Sequence, residues 1–323
     1  MLPFAAMSPL VSIIINVHNN ARFLPAAIES ALAQTYSPIE LLVYDNASEE
    51  DLRSIVARYP KARYFRSEEF LPLGTARNRV LEMAQGELIS FLDSDDLYLP
   101  RKTACQVPLF EDPSVAVAFA NGVEFHEGEG ALTESPIYRR RPPEGAVYPR
   151  LLGNNFISWV TTMFRRSAVE AVSGRRWFDE SFEICTDYDL YLRVLRQHRL
   201  RYADEILCKY RWHGTNTSQV KMHLTVRELH VILGRLIEGE PELFVRYPRE
   251  LARYLAMIAE HQIVIHWRRR ETRPALAWAW RACLLSPRLA NLAKIPLLPV
   301  VSDYDSLMRL WGRLRRWRAA FPR

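Results

Sequence analysis

Hydrophobic and polar positions follow two alternating periods over the first hundred residues. Val11 to Val17 is a short β-branched run closed by the polar His18-Asn19-Asn20, the pattern of a buried strand. Phe23, Leu24, Ala27, Ile28, Ala31 and Leu32 then recur at helical spacing, so the strand is followed by a helix. Glu40 to Tyr44 predicts a second strand ending on Asp45, and Leu52, Ile55, Val56 and Tyr59 predict a second helix. Ala62 to Phe65 reads as a third, short strand. Gly74 to Ala84 reads as a helix with Val80, Leu81 and Ala84 on one face, and Glu87 to Leu92 as a fourth strand running straight into Asp93-Ser94-Asp95-Asp96. This alternation predicts an α/β domain with a mostly parallel sheet flanked by helices.

Further along, the pattern changes. His126 to Pro149 is rich in Gly, Pro, Glu and Arg and has no period, which predicts a long surface loop or hairpin region. A strand is expected near Trp159 to Phe164. Asp187 to Gln197 carries a helix pattern with Leu190, Val194 and Leu195 inward. From Val220 onward the chain reads as helical, cut by prolines at 241, 248, 274, 287, 296 and 299. The composition shift sets a boundary near Gln219, between an α/β region over 1–218 and a helical, basic region over 219–323.

Composition narrows the class. The chain has 323 residues, 49% hydrophobic, 25% charged and 11% aromatic, the proportions of a globular protein and not of a disordered or fibrous one. Cys105, Cys185, Cys208 and Cys283 are scattered with no CxxC pair, which predicts a reducing compartment and argues against zinc. The opening MLPFAAMSPLVSIII lacks the basic start and cleavage site of a secretory signal, and no stretch reaches the ~18 apolar residues of a membrane span. The net charge is +6, with arginine concentrated in WRRRETR and LWGRLRRWR. A solvated helix face is the ordinary reading of such runs. The interleaved Trp and Leu favour an anionic lipid surface over nucleic acid, for which no motif is present. The expectation is a cytoplasmic protein able to rest on the inner face of a membrane.

The candidate chemistry sits where apolar runs end, because ligands of an open α/β sheet bind beyond the carboxyl ends of its strands. His18-Asn19-Asn20, Asp45-Asn46-Ala47-Ser48, Asp93-Ser94-Asp95-Asp96 and Thr186-Asp187 all occupy such places. The cluster at 93–96 is the most informative. Two unit charges ~4 Å apart repel by about 4 kcal/mol at an effective dielectric of 20, and a divalent cation relieves that repulsion. Mg²⁺ and Mn²⁺ suit such oxygen ligands, with substrate phosphates filling the other positions. Helix capping, the competing explanation, needs one Asp and not three. Asp45 taken alone reads as a turn or cap residue, and Arg77 as an ordinary solvated helix arginine, its competing role being to receive a diphosphate at the helix start. Asp187 could cap a helix starting at Tyr188, with Asp189 as its nearest rival. His213 alone reads as a surface or packing histidine. Trp159 and Trp212 are as suited to a core as to stacking on a sugar.

Taken in order, the strings SPLVSIIINVHNNARFLPAAIESALAQTY, ELLVYDNAS, LGTARNRVLEMAQGELISFLDSDDLYLP, FDESFEICTDYDLYLRVL and YRWHGTNTS resemble a family 2 glycosyltransferase with the GT-A fold, over about residues 8 to 218. The resemblance implies a Rossmann-like, mostly parallel sheet with a nucleotide-binding half over about 8–97 and an acceptor half over about 98–218. It implies that Asp45 recognises the base, that Arg77 contacts nucleotide or diphosphate, and that Asp93 and Asp95 hold ribose and a divalent Mn²⁺ or Mg²⁺, Asp95 being the better metal ligand. It further implies that Asp187 is the general base and that His213 closes over diphosphate and metal. Two departures stand out. The family's Pro-Val-Tyr-Asn is here Asn16-Val17-His18-Asn19, which makes His18 the candidate nucleotide contact at that position, and the acidic residue that often precedes the base is here Thr186.

The activity implied is metal-dependent, inverting transfer of a sugar from a nucleotide-diphosphate sugar, UDP being the first choice, to a hydroxyl of a saccharide, lipid-linked or polysaccharide acceptor. Two alternatives compete: a sugar nucleotidyltransferase, which the missing early glycine-rich phosphate loop disfavours, and a non-catalytic subunit of a larger synthase, which the intact Asp93, Asp95 and Asp187 disfavour.

Overall fold

Six of the seven residues of Val11–Val17 are buried, as a β-branched run at the centre of a sheet requires. A computed structural model describes residues 8–126, 134–213, 216 and 220–285. Chain order begins β1 (Val11–Val17), α1 (Leu24–Leu32), β2 (Ile39–Asp45), α2 (Leu52–Val56), β3 (Ala62–Arg66), α3 (Leu73–Leu81) and β4 (Leu88–Asp93). The predicted alternation is therefore present, each element within a few residues of its expected place. It continues with β5 (Leu97–Tyr98), α4 (Lys102–Gln106), β6 (Val115–His126), β7 (Ser135–Pro136), α5 (Tyr148–Gly153), β8 (Met163–Arg165), α6 (Arg166–Ser173), α7 (Thr186–Val194) and β9 (Arg199–Trp212). The described residues fall into two compact units, one up to Tyr148 with Phe156–Asn216, the other Pro149–Asn155 with the helices from 220 on.

In the first unit the strand order is β3-β2-β1-β4-β8-β6-β9-β5, with β7 beside β6. Strands β1 to β4 pair in parallel, and β4 is the first to meet an antiparallel neighbour, β8. Beyond β4 the sheet is mixed, because β6 and β9 are parallel while β5, β7 and β8 run against their partners. The expectation of a mostly parallel sheet holds, since β1 to β4 and the long β6–β9 pair are parallel and the antiparallel pairings are short. Val11, Ile13, Ile15 and Val17 on one face of β1 pack with Leu24, Ala27, Ile28 and Ala31 of α1. Each fully buried Val, Ile or Leu among them contributes about 1.5–3 kcal/mol. A second cluster is aromatic: Phe91 of β4 lies 5.1 Å from Trp159, 5.5 Å from Phe178 and 6.3 Å from Phe164, and Phe164 stacks on Tyr191 of α7.

Two expectations need correction. Trp159–Thr161 is a 3₁₀ turn, and the strand expected there is confined to Met163–Arg165, since Phe91 and Phe178 draw the Trp159 ring inward. The helix expected from Asp187 to Gln197 begins at Thr186 and ends at Val194. Within His126–Pro149, Ser135–Pro136 returns along Glu124 and Val123 as a hairpin and Gly145 bridges to Leu200; residues 127–133 lie outside the described residues.

The second unit is helical. Here α8 (Met222–Gly239) buries Val226, Leu229, Ile232 and Leu233 at helical spacing, a short α9 (Leu243–Arg246) follows, and α10 (Pro248–Arg268) and α11 (Thr272–Leu285) pack together. The prolines act as expected: α8 stops before Pro241 and Pro248 opens α10. A Cβ on Gly153 would stand 3.3 Å from the Arg253 Cβ, so the 149–155 segment sits tightly on α10. Among the described residues no helix is long and apolar enough to cross a membrane. The LWGRLRRWR run and the prolines at 287, 296 and 299 lie outside the described residues.

Candidate active site

The register of β1 sets the site. Val17 is level with Asp45 at the end of β2, and Asn16 is level with Asp93 at the end of β4. The chain winds from β1 through β2 to β3 on one side and returns to place β4 on the other, which makes the β1–β4 seam the topological switch point, the place where ligands of open α/β sheets bind. The polar residues after β1 tie its neighbours together. His18 Nδ1 lies 2.8 Å from the Asn46 carbonyl, the Ser48 hydroxyl accepts from the Asn19 N–H at 2.9 Å, and the Asn20 amide donates to Ser94 Oγ at 2.7 Å. Exposed Phe70 meets the His18 ring edge-on at 4.7 Å.

Asp45 is wholly buried and its carboxylate is saturated. Oδ1 accepts the Ser48 N–H at 2.8 Å, and Oδ2 accepts the Tyr64 hydroxyl at 2.5 Å and Arg66 Nη1 at 2.6 Å. Burial pushes its pKa up, but Tyr64, Ser48 and Arg66 together outweigh burial and hold it below the ordinary value.

At the end of β4 the chain makes a tight turn, with the Asp96 N–H donating to the Asp93 carbonyl at 3.0 Å. Asp93 meets Arg77 Nη2 at 3.4 Å, a long contact, and its side chain keeps 40% exposure. Burial, opposed by Arg77 and reinforced by Asp95, lifts its pKa to about 6. Asp96 is buried and pushed well above the ordinary value, first by burial and then by Asp95 and Asp93. Its Oδ1 accepts the Arg211 N–H at 2.8 Å, and its Oδ2 has no partner among the described residues.

Strand β9 delivers the late loop to this turn. β5 pairs with it at Tyr98↔Cys208 and Leu97↔Lys209, so the following residues pass over 93–96. Arg211 Nε donates to the Asp95 carbonyl at 2.8 Å while its guanidinium lies over Phe23 and Phe125. His213 Nε2 then stands 2.8 Å from Asp95 Oδ2, its backbone N–H held by Asn216 Oδ1 at 2.7 Å. Sequence reasoning found His213 but missed Arg211 and Asp96; the signal for both was present, an Arg two residues before the His and a fourth residue in the acidic run.

Helix α7 brings the last carboxylates. Its N-cap is Cys185, with no side-chain cap, so Asp187 belongs to the first turn and does not cap the helix. Asp189, its rival, is paired with Arg193 at 2.9 Å, and Arg193 also holds Ser173 and the Trp177 carbonyl. Arg77 joins α7 to β4. Only 5% exposed, it donates through Nη1 to Thr186 Oγ1 at 3.1 Å and faces Asp93 through Nη2, with its guanidinium 4.2 Å from the Trp159 ring centre. Arg77 and Asp93 both feel the charge of Asp187. Trp159 therefore lies against Arg77 in the aromatic cluster, and Trp212 lies edge-on to Tyr210 at 5.7 Å.

The structure thus gathers Asp93, Asp95, His213, Arg77 and Thr186-Asp187 at one seam and holds Asp45 and His18 one strand away. Among the described residues no three His, Cys, Asp or Glu side chains form a ready metal cage. A cation bound through one or two carboxylates and substrate phosphates needs no such cage, and Asp95, with His213 beside it and Asp93 two residues earlier, has the donor chemistry for it.

Residues 12–173 match the model of the family described as Glycosyl transferase family 2. An uncharacterized glycosyltransferase of Rickettsia typhi is 31% identical over 222 residues, covering 67% of this chain and 68% of that one. The Escherichia coli UDP-Glc:alpha-D-GlcNAc-diphosphoundecaprenol beta-1,3-glucosyltransferase WfaP is 30% identical over 226 residues, covering 69% of this chain and 85% of that one. Other relatives are longer, and the chain spans about a third of their length. Among solved structures, the mannosyltransferase PcManGT from Pyrobaculum calidifontis, in complex with GDP-Man and Mn²⁺, superposes with a TM-score of 0.61 at 17% identity, covering 97% of this chain and 84% of that one, a likeness of fold alone.

Proposed function

The chain belongs to glycosyl transferase family 2, has the GT-A fold and is an enzyme that transfers sugars; from that premise we propose that it is an inverting, metal-dependent transferase using a nucleotide-diphosphate sugar. The observation that carries the reading is the convergence of Asp95–His213, Asp93 and the Asp187 turn on the β1–β4 seam. In the proposed reaction the acceptor oxygen attacks the anomeric carbon as the bond from that carbon to the diphosphate breaks. The hydroxyl proton passes to Asp187, and the nucleoside diphosphate leaves. One displacement without a covalent sugar intermediate inverts the anomeric centre. Asp95, with Asp93 and His213, would hold a Mn²⁺ or Mg²⁺ ion, whose charge neutralises the departing diphosphate. Asp189 is unsuited as the base because Arg193 already engages it.

UDP is the proposed nucleotide, in line with the UDP-Glc of the Escherichia coli relative, and GDP, which the mannosyltransferase binds, is the alternative. The proposed acceptor is a saccharide hydroxyl, in the first instance on a lipid-linked saccharide as in that relative. Exposed Trp280 and the run of exposed arginines at 268–270 support contact of the helical unit with an anionic membrane on its cytoplasmic face, which cosedimentation with anionic vesicles tests. A panel of nucleotide-sugars, scored for nucleotide release with and without Mn²⁺, identifies the donor. Asp187→Asn should leave binding of that donor within about threefold and slow transfer by about 10²–10⁴-fold, the range for a positioned general base. Full transfer by the variant, or release indifferent to metal, overturns the corresponding part of the proposal.

A further inference from the structure

The GTARN segment at the start of α3 makes three independent connections to the stretch that leads into α7. A Cβ on Gly74 would stand 2.8 Å from the Asp179 carbonyl oxygen, so only glycine admits that backbone so close. Asn78 grips the next residue back with both ends of its amide: Nδ2 donates to the Phe178 carbonyl at 2.9 Å, and Oδ1 accepts the Phe178 N–H at 3.0 Å. Arg77 reaches furthest, to Thr186 Oγ1 at 3.1 Å. All three contacts fall on residues 178–186, the segment that ends one residue before Asp187.

Arg77 is poorly placed to touch a diphosphate. Its side chain is 6% exposed, and its guanidinium is packed among the rings of Trp159, Phe178 and Phe91, with centroids at 4.2, 5.5 and 5.8 Å. A guanidinium in such an aromatic box is held by cation–π attraction and by its fork of donors, and it is a rigid strut between the groups that those donors reach. Those groups are Asp93, at the end of β4, and Thr186, at the start of α7.

We propose that Arg77, seconded by Asn78 and Thr186, is a positioning residue that fixes the general-base turn of α7 against the strand end bearing Asp93, and that it does not itself bind the diphosphate. The proposal rests on the assignment of Asp187 as the base. Thr186 stands where the family often has an acidic residue. With a neutral hydroxyl there, the Arg77 charge remains directed at Asp93 and Asp187 instead of being spent on an adjacent carboxylate. The arrangement makes Thr186 Oγ1 a specific, removable link.

The test uses the full chain with the most active donor of the panel. UDP and GDP, each with Mn²⁺, serve as binding probes by calorimetry. Thr186→Val is nearly isosteric and should fold. It is expected to lower kcat by about tenfold to 100-fold, the cost of misplacing a reacting group by an ångström or less, with donor KM and nucleotide affinity within about threefold of the parent. Thr186→Ser, which keeps the hydroxyl, should restore most of the rate. Arg77→Lys should show the same split with a larger loss of kcat. Loss of nucleotide affinity in step with kcat in Arg77→Lys would make Arg77 a diphosphate ligand and overturn the proposal, as would an unchanged kcat in Thr186→Val. Asp187→Asn, run alongside, separates the two failures: if that variant keeps full transfer, the base assignment has failed, whereas if it is inactive and Thr186→Val is unaffected, the positioning role alone has failed.

Discussion

Two aspartates end neighbouring strands on either side of β1 and live in opposite electrostatic conditions. Asp45 is sealed from water yet accepts three hydrogen bonds, one from an arginine, and its charge is fully answered. Asp93 is two-fifths open to water, has one long contact to Arg77, and lies beside two further carboxylates. Topology alone would give them like roles. The difference lies in how much charge each leaves for a ligand: the turn after β4 carries negative charge in want of a counter-ion, and the end of β2 carries none.

The largest expected effect separates the turn from the β2 end by function. Asp95→Ala should weaken Mn²⁺-dependent nucleotide binding at least about 100-fold, beyond what loss of a supporting residue costs. Asp45→Asn should change the metal dependence little; calorimetry with and without Mn²⁺ reads both. Stability should move in the other direction. Asp45→Asn removes the partner of a buried network and should lower stability by about 2 kcal/mol near neutral pH. Because its folded pKa is depressed, that contribution is present above about pH 4 and is lost as pH falls through the folded value. Asp93 has the opposite sign. Its raised pKa, about 6, means that the folded state binds more protons between about pH 4 and 6, so the parent chain loses stability as pH rises across that window. Asp93→Asn should escape this loss and be more stable at pH 7 by about 1 kcal/mol, after allowance for the water that reaches the side chain. Denaturant titrations at pH 4.5 and 7 check both signs.

The smallest effect concerns the residue between them. Asn16, level with Asp93, has both polar atoms of its amide buried with no partner among the described residues. Asn16→Leu should raise stability by roughly 1 kcal/mol, since an unmet buried amide is costly and a similar apolar side chain is not. A lower denaturation midpoint would mean that the amide is engaged in solution.

The half built on β1 to β4 was legible because its strands and helices alternate locally, and β1, β2 and β4 each run into a polar cluster. The half after β4 was not. Strands β6 and β9 pair in parallel from Val115↔Arg199 onward with several register shifts, and β9 carries Arg, Lys, Asp and Glu through its length. Neither period nor composition marks such a strand; a partner more than eighty residues away defines it. The order of the motifs singled out Asp93, Asp95, Asp187 and His213. Roles that depend on three-dimensional enclosure, such as the sealed state of Asp45 and Arg77 or the hold of Arg211 on the Asp95 carbonyl and the Asp96 carboxylate, left no mark in the sequence pattern.

The antiparallel join between β4 and β8 has a consequence for a chain emerging from the ribosome. The edge of β4 is complete at Asp93, but the strand that covers it begins at Met163, and His213 follows fifty residues later. At about 5–20 residues per second, the nascent sheet presents an open edge for several seconds before its cover is made. Through that interval an unpaired ladder of amides and carbonyls is available to any passing strand, which makes the middle of translation the period of greatest exposure to misassembly.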